Sequence, residues 1–309
     1  VKLAFLYAGQ GAQHVGMGRD LYEIYPAFRQ VLDSAPVDFD LKKLCFDGPE
    51  DQLNDTRYTQ PCMVAFAAGV TALLREAGIT PDYAAGLSLG EYSALQCAGV
   101  FDAKTAISLV AFRGQAMADA VQGRPCGMAA VLGMDRDALK AVCAEASDAG
   151  VVECTNFNCP GQIVISGDAA AVDKAGELAK AAGAKRVLPL KVSGPFHTSL
   201  MAPAGDALRE KFQSVDFGSM EVPVLFNCLG DLKGEADTIP ELLEQQVQSS
   251  VYLEDTIRRL GELGVDTVVE IGPGRTLSGF VKKTVKGIKC YPVETAEELQ
   301  AAIAALRGE

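Results

Sequence analysis

Histidine is scarce in this 309-residue chain, which holds two, His14 and His197. That scarcity argues against a His-rich metal site, and any imidazole chemistry must use one of the two. The nine cysteines, at positions 45, 62, 97, 126, 143, 154, 159, 228 and 290, include no C-x-x-C pair. An odd, scattered set fits reduced thiols packed as small core residues, not a disulfide framework or a zinc site. No apolar run approaches the ~20 residues that span a bilayer. The opening Val1–Gly9 reads as a first buried strand, not as a signal peptide. Positive charge is also short: 28 Lys and Arg stand against 40 Asp and Glu, a net charge of −12. Such a balance argues against a nucleic-acid or anionic-membrane protein, since both use broad basic surfaces. P-loop, metal-ligand and aromatic–basic stacking patterns are missing as well.

What remains describes a chain with a large core. Hydrophobic residues make up 49% and charged residues 22%, which excludes a disordered protein. At roughly 150 residues per domain, the length suits one large domain or two unequal ones. Residues 3–7 read as a strand, followed by a Gly-rich turn and an amphipathic helix near 18–33. A buried helix is expected over 60–77, a short strand over 83–86, and helices over 88–98 and 102–121, the last opened by Asp102. From 125 to 191 the pattern changes to strand 128–132, helix 136–145, strands 151–157 and 162–166, helix 169–182 and strand 185–192. This β-α-β-β-α-β order is that of a ferredoxin-like split unit. It interrupts a larger α/β body, which resumes with strands 222–227 and 267–271 and helices near 198–213, 252–263, 276–285 and 295–307.

Gly86-Leu87-Ser88-Leu89-Gly90 is a G-x-S-x-G match between a short apolar segment and a helical pattern, the context this motif requires. The helix that follows offers free N–H groups and a positive dipole end to a developing oxyanion. The residues alone leave a nucleophile elbow and a glycine-flanked turn with a capping Ser equally open. A Ser nucleophile needs a base. His197 stands between a strand and a helix, where catalytic groups gather in α/β folds, whereas His14 suits a surface role as well. Gly9-Gln10-Gly11 is no dinucleotide fingerprint, because His14 occupies the third glycine position. It reads either as an ordinary turn or as a loop supplying an oxyanion-hole N–H. Arg113 interrupts an apolar helix face and is either solvated or aimed at a carboxylate. Lys282, Lys283, Lys286 and Lys289 form a basic cluster.

These motifs then join. Gly9–Gln13, Gly86–Ala94, Arg113-Gly114, Asn156–Gln162, Val192–His197 and Glu270–Gly274 are six elements in one order and spacing. With them the chain closely resembles the malonyl-CoA:acyl carrier protein transacylase family from about residue 3 to 290. The resemblance implies an α/β-hydrolase-like large domain, 1–124 and 192–309, with an inserted ferredoxin-like small subdomain, 125–191. It implies a malonyl ester on Ser88, formed from malonyl-CoA with His197 as base and passed to the phosphopantetheine thiol of acyl carrier protein. Gln10 and Leu89 match the oxyanion-hole positions, Arg113 the residue pairing with the malonyl carboxylate, and Gln246 the residue whose main-chain carbonyl orients the imidazole. Three departures stand out: Leu87 replaces a His, Ala8 replaces a Pro, and Ser250 replaces the Pro that usually follows the Gln by four.

The expectation is therefore a cytoplasmic, monomeric acyltransferase without metal or cofactor, with malonyl-CoA and acyl carrier protein as partners and neither nucleic acid nor membrane. Three other readings compete: transfer of another acyl group, a serine esterase using water, and a non-enzymatic carrier-protein docking module.

Overall fold

The computed structural model describes residues 1–191 and 194–309. The parts of the expected strand 185–192, of the Val192–His197 motif and of the domain boundary that fall on 192 and 193 lie outside the described residues. In chain order the strands are β1 (Leu3–Tyr7), β2 (Tyr83–Gly86), β3 (Cys126–Leu132), β4 (Val152–Cys159), β5 (Gln162–Asp168), β6 (Arg186–Pro189), β7 (Leu225–Phe226), β8 (Asp231–Leu232), β9 (Thr267–Ile271) and β10 (Lys289–Val293).

Two four-stranded sheets carry the molecule. The first is all parallel, in the order β10-β9-β1-β2, with Tyr7 opposite both Gly86 and Ile271. All five β1 residues are buried, as expected of a parallel strand covered on both faces. Shared register brings the carboxyl ends of β1, β2 and β9 to one edge. The Gln10 turn, the Ser88 turn and Gly272-Pro273-Gly274 all leave from there, the usual place for a site in an open α/β sheet. The second sheet is antiparallel, β4-β5-β3-β6, and the helices Arg136–Glu145 and Ala169–Ala181 pack on it around their own core of Val131, Leu139, Ile165 and Val172. A bridge between Asn156 and Val251 joins this sheet to the rest of the fold. Ser250, standing where a Pro was expected, donates its hydroxyl to the Cys154 carbonyl at 2.6 Å and reinforces that join.

The expected helix over 18–33 is two helices, Arg19–Ile24 and Pro26–Asp33. Tyr25 precedes a proline, which disfavours the helical region, and it is extended at φ −112° and ψ 115°. The helix expected at 60–77 begins earlier and runs Thr56–Glu76, capped by the Asp55 side chain on Arg57 N–H. Asp102 caps Ala103–Ala120 as expected, accepting from Thr105 N–H at 2.7 Å. Only Leu225–Phe226 of the expected strand 222–227 is strand, although Val224 makes a parallel bridge to Ala84 beside β2. Seven of the nine cysteines are buried, serving as small core residues.

Candidate active site

Among the described residues, two non-glycine residues have positive φ: Ser88 at 58° and His197 at 61°. Such a conformation costs about 1–3 kcal/mol at each position and persists only where the surroundings impose it. At Ser88 the imposition is steric. A Cβ on Gly86 would come within 2.0 Å of the Gly90 backbone, and one on Gly90 within 2.5 Å of the Tyr7 carbonyl oxygen. With glycine at both places the chain turns sharply from β2 into the helix Gly90–Cys97, leaving Ser88 half-buried at the sheet edge.

The two strained residues meet. Ser88 Oγ lies 2.8 Å from His197 Nε2, and His197 Nδ1 lies 2.8 Å from the main-chain carbonyl of Gln246. A carbonyl only accepts, so Nδ1 carries the proton and Nε2 is left to accept from the Ser88 hydroxyl. His197 is 5% exposed. Burial, followed by the nearby Arg113 charge, pulls its pKa down to about 4, and the Gln246 carbonyl opposes this only partly. The imidazole is therefore neutral across the physiological range. His14 stands apart, half-exposed and paired with Glu294.

Arg113 is fully buried, not solvated. Its Nη1 donates to Gln60 Oε1 at 2.9 Å, and its Nη2 to Gln246 Oε1 at 3.0 Å and to Ser88 Oγ at 3.2 Å. The guanidinium also lies over the Tyr92 ring, 5.5 Å from its centroid. Its Nε is buried without a partner, and burial pulls its pKa below the usual arginine value. Every hydrogen-bond acceptor around the charge is neutral. The nearest carboxyl influence is Glu91, also fully buried, whose own pKa burial pushes up to about 8 against the Asn227 N–H and Arg113.

The Leu89 and Gln10 N–H groups have no hydrogen-bond partner among the described residues. Leu89 opens the helix Gly90–Cys97, so its N–H sits at the positive end of that dipole. Gln10 is fixed by Thr56, whose hydroxyl donates to its Oε1 at 2.8 Å. A cavity of about 230 Å³ opens over Ser88 and His197, walled by Gln10, Leu87, Phe196 and Phe280, with Thr155, Asn156 and Asn158 on the side of the antiparallel sheet. Thus all the site residues named from sequence, Ser88, His197, Gln246, Gln10, Leu89 and Arg113, fall at one sheet edge. Sequence reasoning missed Gln60 and Asn227, and it gave Glu91 no role. Gln60 and Asn227 stand far from Ser88 along the chain and carry no local signal of their meeting.

The acyl transferase domain family matches residues 4–304. The malonyl CoA-acyl carrier protein transacylase of Bacillus subtilis (strain 168) is 45% identical over 311 residues, covering 100% of this chain and 98% of its own. The chain belongs to this transacylase family. It is therefore an acyltransferase with a mixed α/β fold, and solved structures agree. The transacylase of Clostridium perfringens superposes with a TM-score of 0.95 at 39% identity, covering 100% of this chain and 98% of that one. A malonyl-transacylase solved in complex with its type II PKS acyl-carrier protein gives 0.95 at 39%, with 100% of both chains covered. Among the described residues, no helix is long and apolar enough to cross a membrane.

Proposed function

We propose that this transacylase moves a malonyl group from malonyl-CoA to the phosphopantetheine thiol of an acyl carrier protein, through an ester on Ser88, for fatty-acid or polyketide chain extension. Ser88 Oγ attacks the thioester carbonyl as His197 Nε2 takes its proton. The developing oxyanion accepts from the Gln10 and Leu89 N–H groups. The C–S bond breaks, and the CoA thiolate leaves with the proton from His197. In the second half-reaction the carrier thiol gives its proton to His197 and attacks the ester, and Ser88 recovers the proton as it leaves. The Gln246 carbonyl holds the imidazole in the tautomer both steps need. Arg113 pairs with the free malonyl carboxylate by charge-assisted hydrogen bonds.

One observation carries this reading: the 2.8 Å contact between Ser88 Oγ and an unprotonated His197 Nε2, in a chain aligned end to end with transacylases. The finer architecture belongs to the same proposal. The parallel-sheet body, 1–124 and 192–309, is α/β-hydrolase-like, and 125–191 is an inserted ferredoxin-like subdomain. We take the protein to act in the cytoplasm as a monomer, without metal or cofactor.

Water and carrier thiol compete for the same ester, so the test is the fate of pre-loaded enzyme. Mixed with holo-acyl carrier protein, it should yield malonyl-carrier within seconds. Without carrier, the ester should persist. Rapid release of free malonate regardless of carrier would favour the esterase reading instead.

A further inference from the structure

The side chain of Asn227 grips the main chain on both sides of the Ser88 turn. Its Oδ1 accepts from Ser88 N–H at 2.8 Å, and its Nδ2 donates to the Gly86 carbonyl at 2.6 Å. The same Oδ1 lies 3.3 Å from Gln246 Nε2, which in turn donates to the Ser88 carbonyl at 2.8 Å. Asn227, Gln246 and Glu91 are all fully buried. Asn227 is itself tethered: its N–H donates to Glu91 Oε1 at 2.6 Å, and its carbonyl accepts from Tyr252 N–H at 2.9 Å. The Val224–Ala84 bridge brings this segment alongside β2, the strand that ends in the turn. A closed circuit therefore runs from Ser88 through Asn227 and Gln246 to His197 and back to Ser88.

We propose that Asn227 is a positioning residue, which clamps the left-handed Ser88 turn and ties it to Gln246, so that nucleophile and base stay in register. The inference rests on the reading of Ser88 as nucleophile. It requires an amide and not merely a polar group, because position 227 must accept from Ser88 N–H and donate to the Gly86 carbonyl at once. A carboxylate of the same shape accepts on both sides and would face the Gly86 oxygen with a second acceptor. A protonated carboxyl would restore the donor. Burial and the neighbouring Glu91 would raise the pKa of such a carboxyl, and Arg113 would lower it. Ionisable side chains also belong to Tyr252, whose N–H bonds to the Asn227 carbonyl, to the adjacent Cys228, and to His197, reached through Gln246.

The test is single-turnover acylation by malonyl-CoA in Asn227→Asp and Asn227→Ser between pH 5 and 9, each rate divided by that of the unaltered protein at the same pH, with thermal melting to check folding. A displaced nucleophile of this kind costs on the order of 10²-fold in rate. Asn227→Asp should lose about that at the alkaline end, mainly in the saturating rate and not in substrate affinity, and should recover as pH falls. Asn227→Ser cannot bridge the turn and should stay slow at every pH. A flat ratio near one for Asn227→Asp would overturn the clamp. So would a folded Asn227→Ser with an unaltered saturating rate. If Asn227→Asp does not fold, the Ser variant decides alone. Peptide mapping separates this failure from that of the underlying reading: malonyl found away from Ser88 removes the nucleophile itself.

Discussion

Arg113 Nη2 sits 3.2 Å from Ser88 Oγ, so a full positive charge borders the Ser88 hydroxyl. The charge waits among neutral amides, with Gln60 and Gln246 as its acceptors. In the proposed reaction a malonyl group would bring a carboxylate to this charge, whereas an acetyl group would leave it uncompensated. Losing a buried pair of this kind costs about 2–5 kcal/mol, or roughly 30- to several-thousand-fold in relative rate. Arg113→Ala should therefore lose most malonyl loading and keep or gain acetyl loading. Arg113→Lys should fall between, because a point charge cannot make the fork. The ratio of malonyl to acetyl loading in each variant checks this, and an unchanged ratio in Arg113→Ala would assign carboxylate recognition elsewhere.

The buried imidazole sets an acid limit. With its pKa at about 4, His197 remains a competent base well below pH 6.5, so acylation should hold from neutral pH down to about pH 5 and fall as pH passes through about 4. His197→Ala should lose at least about 10² in acylation rate. Stability follows the same group. Its folded pKa is depressed, so the native state binds fewer protons than the unfolded chain. The contribution is present above about pH 6.5, is lost as pH falls from there through about 4, and amounts to about 3 kcal/mol. Glu91 acts oppositely. Its folded pKa is raised to about 8, so its contribution is present below the ordinary carboxylate value and is lost as pH rises through 8. Melting temperature against pH, compared with His197→Ala and Glu91→Gln, should show the acid limb flatten in the first variant and the alkaline limb in the second.

If the carrier is acidic, as expected, its docking to a chain of net charge −12 would need a local basic surface. Lys185, Arg186, Lys282, Lys283, Lys286 and Lys289 are all exposed, at the edge of the antiparallel sheet and around the end of the helix Thr276–Thr284. Charge reversal at the true patch should slow transfer from the loaded enzyme to the carrier, more at low salt than at high salt, and leave acylation by malonyl-CoA unchanged. Equal loss in both half-reactions would exclude a carrier-specific patch.

Legibility from sequence followed the range of the interactions concerned. Strands with a clean apolar run, such as Leu3–Tyr7 and Thr267–Ile271, and the capped helix Arg136–Glu145 stand where the pattern put them. Strand Lys289–Val293 carries no clean strand signal, because a Pro sits inside five residues that, among the described residues, pair with β9 alone. Helix Ile239–Gln246 was not assigned either, so Gln246 was reached by resemblance alone and not by its element. The elbow was legible because its glycines are local. Asn227 was not, because its hydrogen bond to Ser88 spans 139 residues and no spacing rule foretells it. The depressed His197 pKa was equally hidden, since burial sets it and burial is a property of the assembled core.

The central claim is that Ser88 carries the acyl group. Brief exposure to malonyl-CoA alone, followed by intact-mass measurement and peptide mapping, tests it directly, since an acyl-enzyme splits one hard transfer into two easier ones. The account predicts one malonyl adduct per chain, on the peptide containing Ser88, and none in Ser88→Ala. An adduct on a cysteine-containing peptide, or one that survives in Ser88→Ala, would contradict it.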